Sequence, residues 1–513
     1  MTHPLEEGIL YTDFYQLTMA QVYFEMGLHE REARFEHFFR SYPNYGAHQA
    51  GYCVMAGLQP LVEWMQRVRF GEAEIAALRA QRSPDDNALF QEDFLAWLAE
   101  HGDFSKITLE AVPEGRVVHP HIPLSVVTGP LAMAQILETA LLNQLNFGTL
   151  IATKAARVRE SAGEATVMEF GLRRAQGFAA NGATRAALIG GADFTSNTGA
   201  SIRLGLPPRG THAHALVQAT MAMGMSELDA FRQYATRYPD STVLLVDTVD
   251  TLRSGVPNAI TIFQELQAQG HKPVGIRLDS GDLAYLSMQS ARLLDEAGFP
   301  EASIVLSNDL DELIIWQIES QIRQEAARMG VEAESVIRRL VFGVGTKLVT
   351  SEGDGALGGV YKLVALRDAE GHWQPAIKIS ESAEKTPTPG VKRAYRLYDE
   401  RGVATADLLA LADEKLQEQE MLELRHPFGQ RRRVVRREGI TLEPLHQTIL
   451  ERGVLREEFP SLGALRARRR ADIARLDPGV RRLINPHIYH ISLTPSLWTL
   501  KQQLIEQARA GSR

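Results

Sequence analysis

Between Thr166 and Lys347 the chain repeats one device: a short apolar, β-type run that ends abruptly in polar or glycine-rich residues. The runs are Thr166–Phe170, Ala186–Ile189, Thr242–Val246, Val274–Leu278, Ser303–Leu306 and Val341–Val344. They end in GLRRAQG, GGADFTSN, DTVDT, DSGD, SNDLDE and GVGTK, with helical patterns filling most of the intervals. Alternating β and α with polar endings on nearly every strand predicts an α/β chain built on a (β/α) barrel, because an open sheet concentrates its chemistry at one switch point. Two of the strands are ambiguous in pattern, so the expected barrel is irregular.

At 513 residues the chain exceeds one compact core. Upstream of the repeats, a helix is expected over 11–26 behind Thr12 and Asp13, a strand over 35–40, and helices over 56–69, 71–82 and 91–101. Strands follow at 107–112 and 116–128, interrupted by Pro113, Pro120 and Pro123, then an apolar helix over 130–146. The mixture without strict alternation predicts an N-terminal α+β domain over 1–145, a barrel catalytic domain over 146–350, and a C-terminal region over 351–513 packing on both. In that last region GGVYKLVAL and AIKIS read as β-type, followed by a Pro-rich loop and a polar helical tail. The basic cluster of Arg431, Arg432, Arg433, Arg436 and Arg437 reads as solvated surface, since no aromatics interleave with it and the formal charge is −8. That charge also argues against a general nucleic-acid or membrane-surface binder. Cys53 is the only cysteine, which excludes an intrachain disulfide framework. With no signal-like N-terminus and no run of ~18 apolar residues, a cytoplasmic protein is the expectation.

The stretch PVGIRLDSGDLAYL (273–286) concentrates Arg277, Asp279, Ser280, Gly281 and Asp282 at the end of one strand, where Ser280 or Asp282 could cap the next helix. Phe342-Gly-Val-Gly345-Thr346-Lys347 is a Gly-rich turn that lets backbone approach a phosphate, without Walker A spacing. Arg173 and Arg174 offer cations to phosphate or carboxylate. The pair His212 and His214 leaves three readings open: metal ligands, a nucleophile or acid/base, or a hydrogen-bonded loop histidine. The metal reading needs further histidines at later strand ends, which instead carry Asp247, Asp279, Asn308 and Lys347. Cations beside paired carboxylates point to a polyanionic substrate that shares Mg²⁺.

As an ordered set, TDFYQLTM (12–19), EFGLRRAQG (169–177), GTHAHA (210–215), RLDSGDL (277–283), SNDLDE (307–312), FGVGTKLVTS (342–351), GGVYKLV (358–364) and KISESAEKTPTPGVK (378–392) resemble the nicotinate phosphoribosyltransferase family. The resemblance covers roughly residues 10–395 and continues more weakly to the end. It implies ATP-coupled transfer of phosphoribose from phosphoribosyl pyrophosphate to nicotinate, giving nicotinate mononucleotide and pyrophosphate in NAD synthesis. Tyr15 and Arg277, with Thr211 beside them, match nicotinate-binding positions. Arg173, Gly281, Gly345 and Thr346 fall at substrate- or phosphate-binding positions, and His214 matches the histidine that ATP phosphorylates. Asp279 and Asp282 are the candidates to organise Mg²⁺. The resemblance also implies a homodimer with shared active sites. Three rival readings are a metal-dependent barrel hydrolase using His212 and His214, a non-catalytic nucleotide sensor, and a transferase for nicotinamide.

Overall fold

A computed structural model describes residues 5–177 and 179–511, which divide into two compact units. One is continuous, Ile151–Gly355; the other joins the N-terminal 150 residues to Ala356 and everything after it.

In the continuous unit six strands form one all-parallel sheet in the order Phe194–Thr195, Thr166–Glu169, Leu340–Val344, Ser303–Ser307, Gly275–Leu278, Val243–Leu245. Strands buried on both faces read as continuous apolar runs, and Leu244, Ile276, Leu278, Ile304, Leu306 and Phe342 are all fully buried. The sheet is a curled half-barrel, and among the described residues no ladder joins its first strand to its last. Helices separate successive strands, several with a side-chain cap at the start: Asn197 on Ala200 N–H, Ser226 in a reciprocal pair with Asp229, Asp282 on Tyr285 N–H, and Asp311 on two N–H groups. At Gly255, just before the helix Val256–Ala268, an added Cβ would lie 1.8 Å from the Val246 carbonyl oxygen, so only glycine lets that helix start so close to the strand end.

One expected strand is absent. Ala186–Ile189 lies inside the helix Ala179–Gly190, whose residues from Ala183 onward are all buried. A four-residue apolar run cannot by itself separate a buried strand from a helix buried on every side. The strand that takes its place, Phe194–Thr195, is only two residues long.

The discontinuous unit holds an antiparallel seven-stranded sheet in which Glu32–Phe39 is flanked by Ser125–Pro130 on one side and Gly359–Arg367 on the other. The helices Phe14–Glu25, Leu58–Met65, Glu72–Arg79 and Glu92–His101 occupy the N-terminal stretch, near the predicted positions. The segment AIKIS (376–380) is not a strand; the short strand beside Gly359–Arg367 is Trp373–Pro375. A second, six-stranded sheet runs Arg432–Arg436, Met421–Arg425, His490–Leu493, Ala404–Leu411, Lys392–Tyr398, Thr441–Pro444. The C-terminal region thus shares one unit with the N-terminal region. Its basic cluster lies largely on the outermost strand of the second sheet, where all three arginines of Arg432–Arg436 are exposed.

Candidate functional site

The carboxyl ends of the central parallel strands converge on a cavity of about 370 Å³ lined by Phe170, Arg173, Thr211, His214, Arg277 and Asp279 among others. Arg277 projects from the strand Gly275–Leu278 and is held on three sides. Its Nε donates to Ser307 Oγ (2.8 Å), one Nη to Thr211 Oγ1 (3.1 Å) and the other to Asp279 Oδ1 (3.0 Å). Its guanidinium carbon lies 5.7 Å from the Phe170 ring centroid. Three of five N–H donors are therefore occupied, and the fork retains two for a ligand. Ser307 Oγ in turn donates to Asp279 Oδ1 at 2.5 Å, which closes a triangle of cation, hydroxyl and carboxylate.

The two histidines separate in role. His212 is buried, and its Nε2 accepts the Leu245 N–H at 3.1 Å. An acceptor Nε2 places the proton on Nδ1, which faces the Ala213 carbonyl oxygen at 3.3 Å. Burial lowers its pKa, and the hydrogen bond to Ala213 opposes this only in part. With both ring nitrogens used by backbone, His212 is a structural residue of the loop and does not pair with His214 as a metal ligand. His214, at the first turn of the helix His214–Ala222, is open to the cavity. Its Nδ1 lies 3.0 Å from Thr248 Oγ1, leaving Nε2 at 3.8 Å from Asp247 Oδ1 and 3.9 Å from Asp279 Oδ2.

Asp247, Thr248, Ser307 and Phe170 complete this arrangement and were not among the residues singled out for the site from sequence. Asp247 is the most informative: its side chain is 2% exposed, and its Oδ2 accepts from Asp279 N–H and Ser280 Oγ. Its Oδ1 is buried without a hydrogen-bond partner, an expensive state for a carboxylate unless something arrives to meet it. Its position at the end of the Val243–Leu245 strand was the available signal. The next loop carries two further unusual residues, Asn308 at φ 123° and Asp309 at φ 45°, consecutive non-glycine residues outside the usual basins.

The remaining sequence candidates are spread around this centre. Asp282 caps the helix Leu283–Glu296 with Oδ1 and does not line the cavity. Gly281, at φ 79°, makes the turn between Asp279 and that cap. Arg173 is exposed at the cavity wall. Gly345 and Thr346 begin the short helix Thr346–Val349, and Gly343 lies so close to Phe170 that an added Cβ would sit 2.6 Å from the ring. Lys347, the cation that ends the Gly-rich turn, is bonded to Asp311 at 3.1 Å with Glu352 at 3.8 Å. Burial works against its charge, but these acids outweigh it and raise its pKa. Tyr15 belongs to the other unit, on the helix Phe14–Glu25, and is 49% exposed.

A half-barrel of parallel strands whose carboxyl ends gather a forked cation, two carboxylates and an open imidazole defines an α/β protein of the barrel type with a polar strand-end site, the usual place for chemistry in barrel enzymes. The family described as Nicotinate phosphoribosyltransferase (NAPRTase) matches residues 165–415, with its N-terminal domain matching 10–146 and its C-terminal domain 391–501. The nicotinate phosphoribosyltransferase of Bacillus subtilis is 39% identical over 506 residues, covering 98% of this chain and 96% of its own. The crystal structure of human nicotinic acid phosphoribosyltransferase superposes with a TM-score of 0.79 at 31% identity, covering 96% of this chain and 99% of that one. Nicotinate-nucleotide pyrophosphorylase from Pyrococcus furiosus, at 21% identity and a TM-score of 0.64, shares the fold. The chain belongs to the nicotinate phosphoribosyltransferase family.

Proposed function

We propose that the chain transfers phosphoribose from phosphoribosyl pyrophosphate to the ring nitrogen of nicotinate, releasing pyrophosphate and forming nicotinate mononucleotide for NAD synthesis, with ATP turnover coupled through His214. The observation that carries this reading is Arg277, fixed by Ser307, Thr211 and Asp279 with two donors to spare at the cavity wall. A forked cation so oriented suits a ring carboxylate, and the Phe170 ring beside it offers an apolar surface to the pyridine.

Departure of pyrophosphate builds oxocarbenium character at the anomeric carbon, and the pyridine nitrogen already has a free lone pair. No strong general base is needed; the task is to position two anions and offset the charge of the leaving group. Arg173 and the Gly345–Thr346 turn are the groups assigned to phosphate. Magnesium fits the donor set, since it takes oxygen ligands from one or two carboxylates and completes its shell with substrate phosphates and water. Asp247 Oδ1, buried without a partner, and Asp279 Oδ2 would hold it, whereas Asp282 is occupied as a helix cap. Bound there, the ion would neutralise developing negative charge on pyrophosphate. With Nδ1 held by Thr248, His214 has Nε2 available to attack the γ-phosphorus of ATP, displacing ADP; hydrolysis of the N–P bond restores the imidazole.

A second copy of the chain is proposed to complete the site. Tyr15 presents an exposed ring, and Lys362 in the same unit has its pKa lowered by burial and further by the neighbouring cations Arg40 and Lys378. The exposed Tyr15 ring suits stacking on a ligand held by a partner. In the strand-end unit the helix beginning at His214 buries only Val217 and leads into exposed Met221, Met223 and Met225, an apolar surface suited to a subunit contact. Product formation with nicotinate, nicotinamide and quinolinate, each with and without ATP, tests the reaction. Nicotinate should be turned over best and faster with ATP; equal or better turnover of nicotinamide would overturn the assignment.

A further inference from the structure

Three lysines of the described chain are almost wholly buried. Lys154 meets Glu312 at 2.7 Å and Lys392 meets Glu36 at 2.8 Å. Lys501, 2% exposed on the helix Pro495–Gly511, has no carboxylate within 4.0 Å among the described residues. Its Nζ donates to the carbonyl oxygens of Thr386 at 3.2 Å and Pro427 at 3.5 Å, the latter at the outer limit of a hydrogen bond, and lies 4.9 Å from the Phe428 ring centroid. A buried ammonium without a counter-ion carries a large desolvation cost that two carbonyls and a ring offset only in part. Burial, and after it the charge of Lys392, push its pKa down to about 8, so at neutral pH it is still mostly a cation.

Lys501 lines a cavity of about 170 Å³, together with Ser380, Phe428, Trp498 and Gln502. Arg509 adds a second cation to the lining, and the acidic residue there, Glu381, is exposed. At ~30 Å³ per water-sized group the space suits a compact ligand of about five heavy atoms. None of the strand-end residues contributes to it.

We propose that this cavity binds a compact oxyanion, a phosphate or a small carboxylate, with its charge against Lys501 and its oxygens met by the Ser380 hydroxyl and the Gln502 amide. Bound there, the anion links the loop that follows Ile379 to the C-terminal helix, and Lys501 gains the counter-ion that the chain itself does not supply.

The test is calorimetric titration of the full chain, without nucleotide or nicotinate, using inorganic phosphate and, separately, acetate. Wild type should show a binding event that weakens at least tenfold in Lys501→Met and in the double variant Ser380→Ala, Gln502→Leu, which keeps the lysine should Lys501→Met fail to fold. Loss restricted to the phosphate arm identifies phosphate as the occupant, and loss restricted to acetate identifies a carboxylate. Isotherms unchanged in the double variant, or an event abolished by Arg277→Ala and by neither of these, would overturn the proposal and leave Lys501 as a donor to two loop carbonyls. Because binding is read without turnover, that failure leaves the proposed reaction untouched.

Discussion

Arg277 is the side chain proposed to set what the site prefers. A charge-assisted hydrogen bond to a carboxylate is worth roughly 1.5–3 kcal/mol, and an amide offers no matching charge. Arg277→Lys keeps the cation but loses the fork that reaches Ser307, Thr211 and Asp279 together. Steady-state kinetics should show kcat/KM for nicotinate falling by roughly tenfold or more, in line with the loss of about one such bond; an unchanged value would remove Arg277 from the acid's binding site. The histidine pair makes a sharper test. His214→Ala should abolish the acid-labile phosphoenzyme and ATP hydrolysis while sparing some ATP-independent synthesis. His212→Ala should keep the phosphoenzyme and lower thermal stability, because the Leu245 N–H loses its acceptor at a cost of ~1–3 kcal/mol. The reverse pattern would exchange their roles. Spacing alone leaves the two equivalent and only the family resemblance points to His214; the structure separates them by the burial of His212 and its two backbone hydrogen bonds.

Some elements were legible from pattern and others were not. The helix Phe14–Glu25 and the strands around Arg277 and Phe342 lie where periodicity puts them, whereas the run Ala186–Ile189 could not be told from a buried helix. The role of Asp247 was hidden for a different reason: a carboxylate at a strand end is common, and that one of its two oxygens is buried without a hydrogen bond shows only in three dimensions. The basic cluster gains a purpose from its place. An edge strand exposes unpaired N–H and C=O groups, and charges along it discourage pairing with another chain. Replacing Arg432 and Arg436 with valine should therefore produce concentration-dependent association in light scattering with kcat/KM unchanged; a monodisperse variant would return the cluster to bare surface. The strand Glu32–Phe39 carries a pH signature as well. Burial lowers the His37 pKa to about 4, although its hydrogen bond to Asn146 opposes this. Above the unfolded value near 6.5 both states are neutral. As pH falls from there to about 4, only the unfolded chain takes up the proton, so stability is lost at roughly 1.4 kcal/mol per pH unit. Melting curves of wild type should fall more steeply over that window than those of His37→Gln, and identical slopes would show that His37 titrates normally.

For the whole molecule the proposal is that two incomplete chains make two complete sites. Tyr15→Ala and Arg277→Ala homodimers should each be nearly inactive, while mixing them with exchange of subunits should restore one intact site in each mixed dimer. No recovery, with heterodimers shown to form, would confine Tyr15 to its own chain's site or exclude it.

The discontinuity of the first unit also imposes an order on synthesis. Strand Glu32–Phe39 must wait for Gly359–Arg367, its neighbour in the sheet, while the continuous unit emerges between them with every strand it needs. At ~5–20 residues per second a ribosome takes somewhere between about a quarter of a minute and a minute to make that stretch. The middle of this protein can finish folding before its beginning does, and through that interval the beginning holds out an unpaired strand edge, the form in which a nascent chain most needs a chaperone's cover.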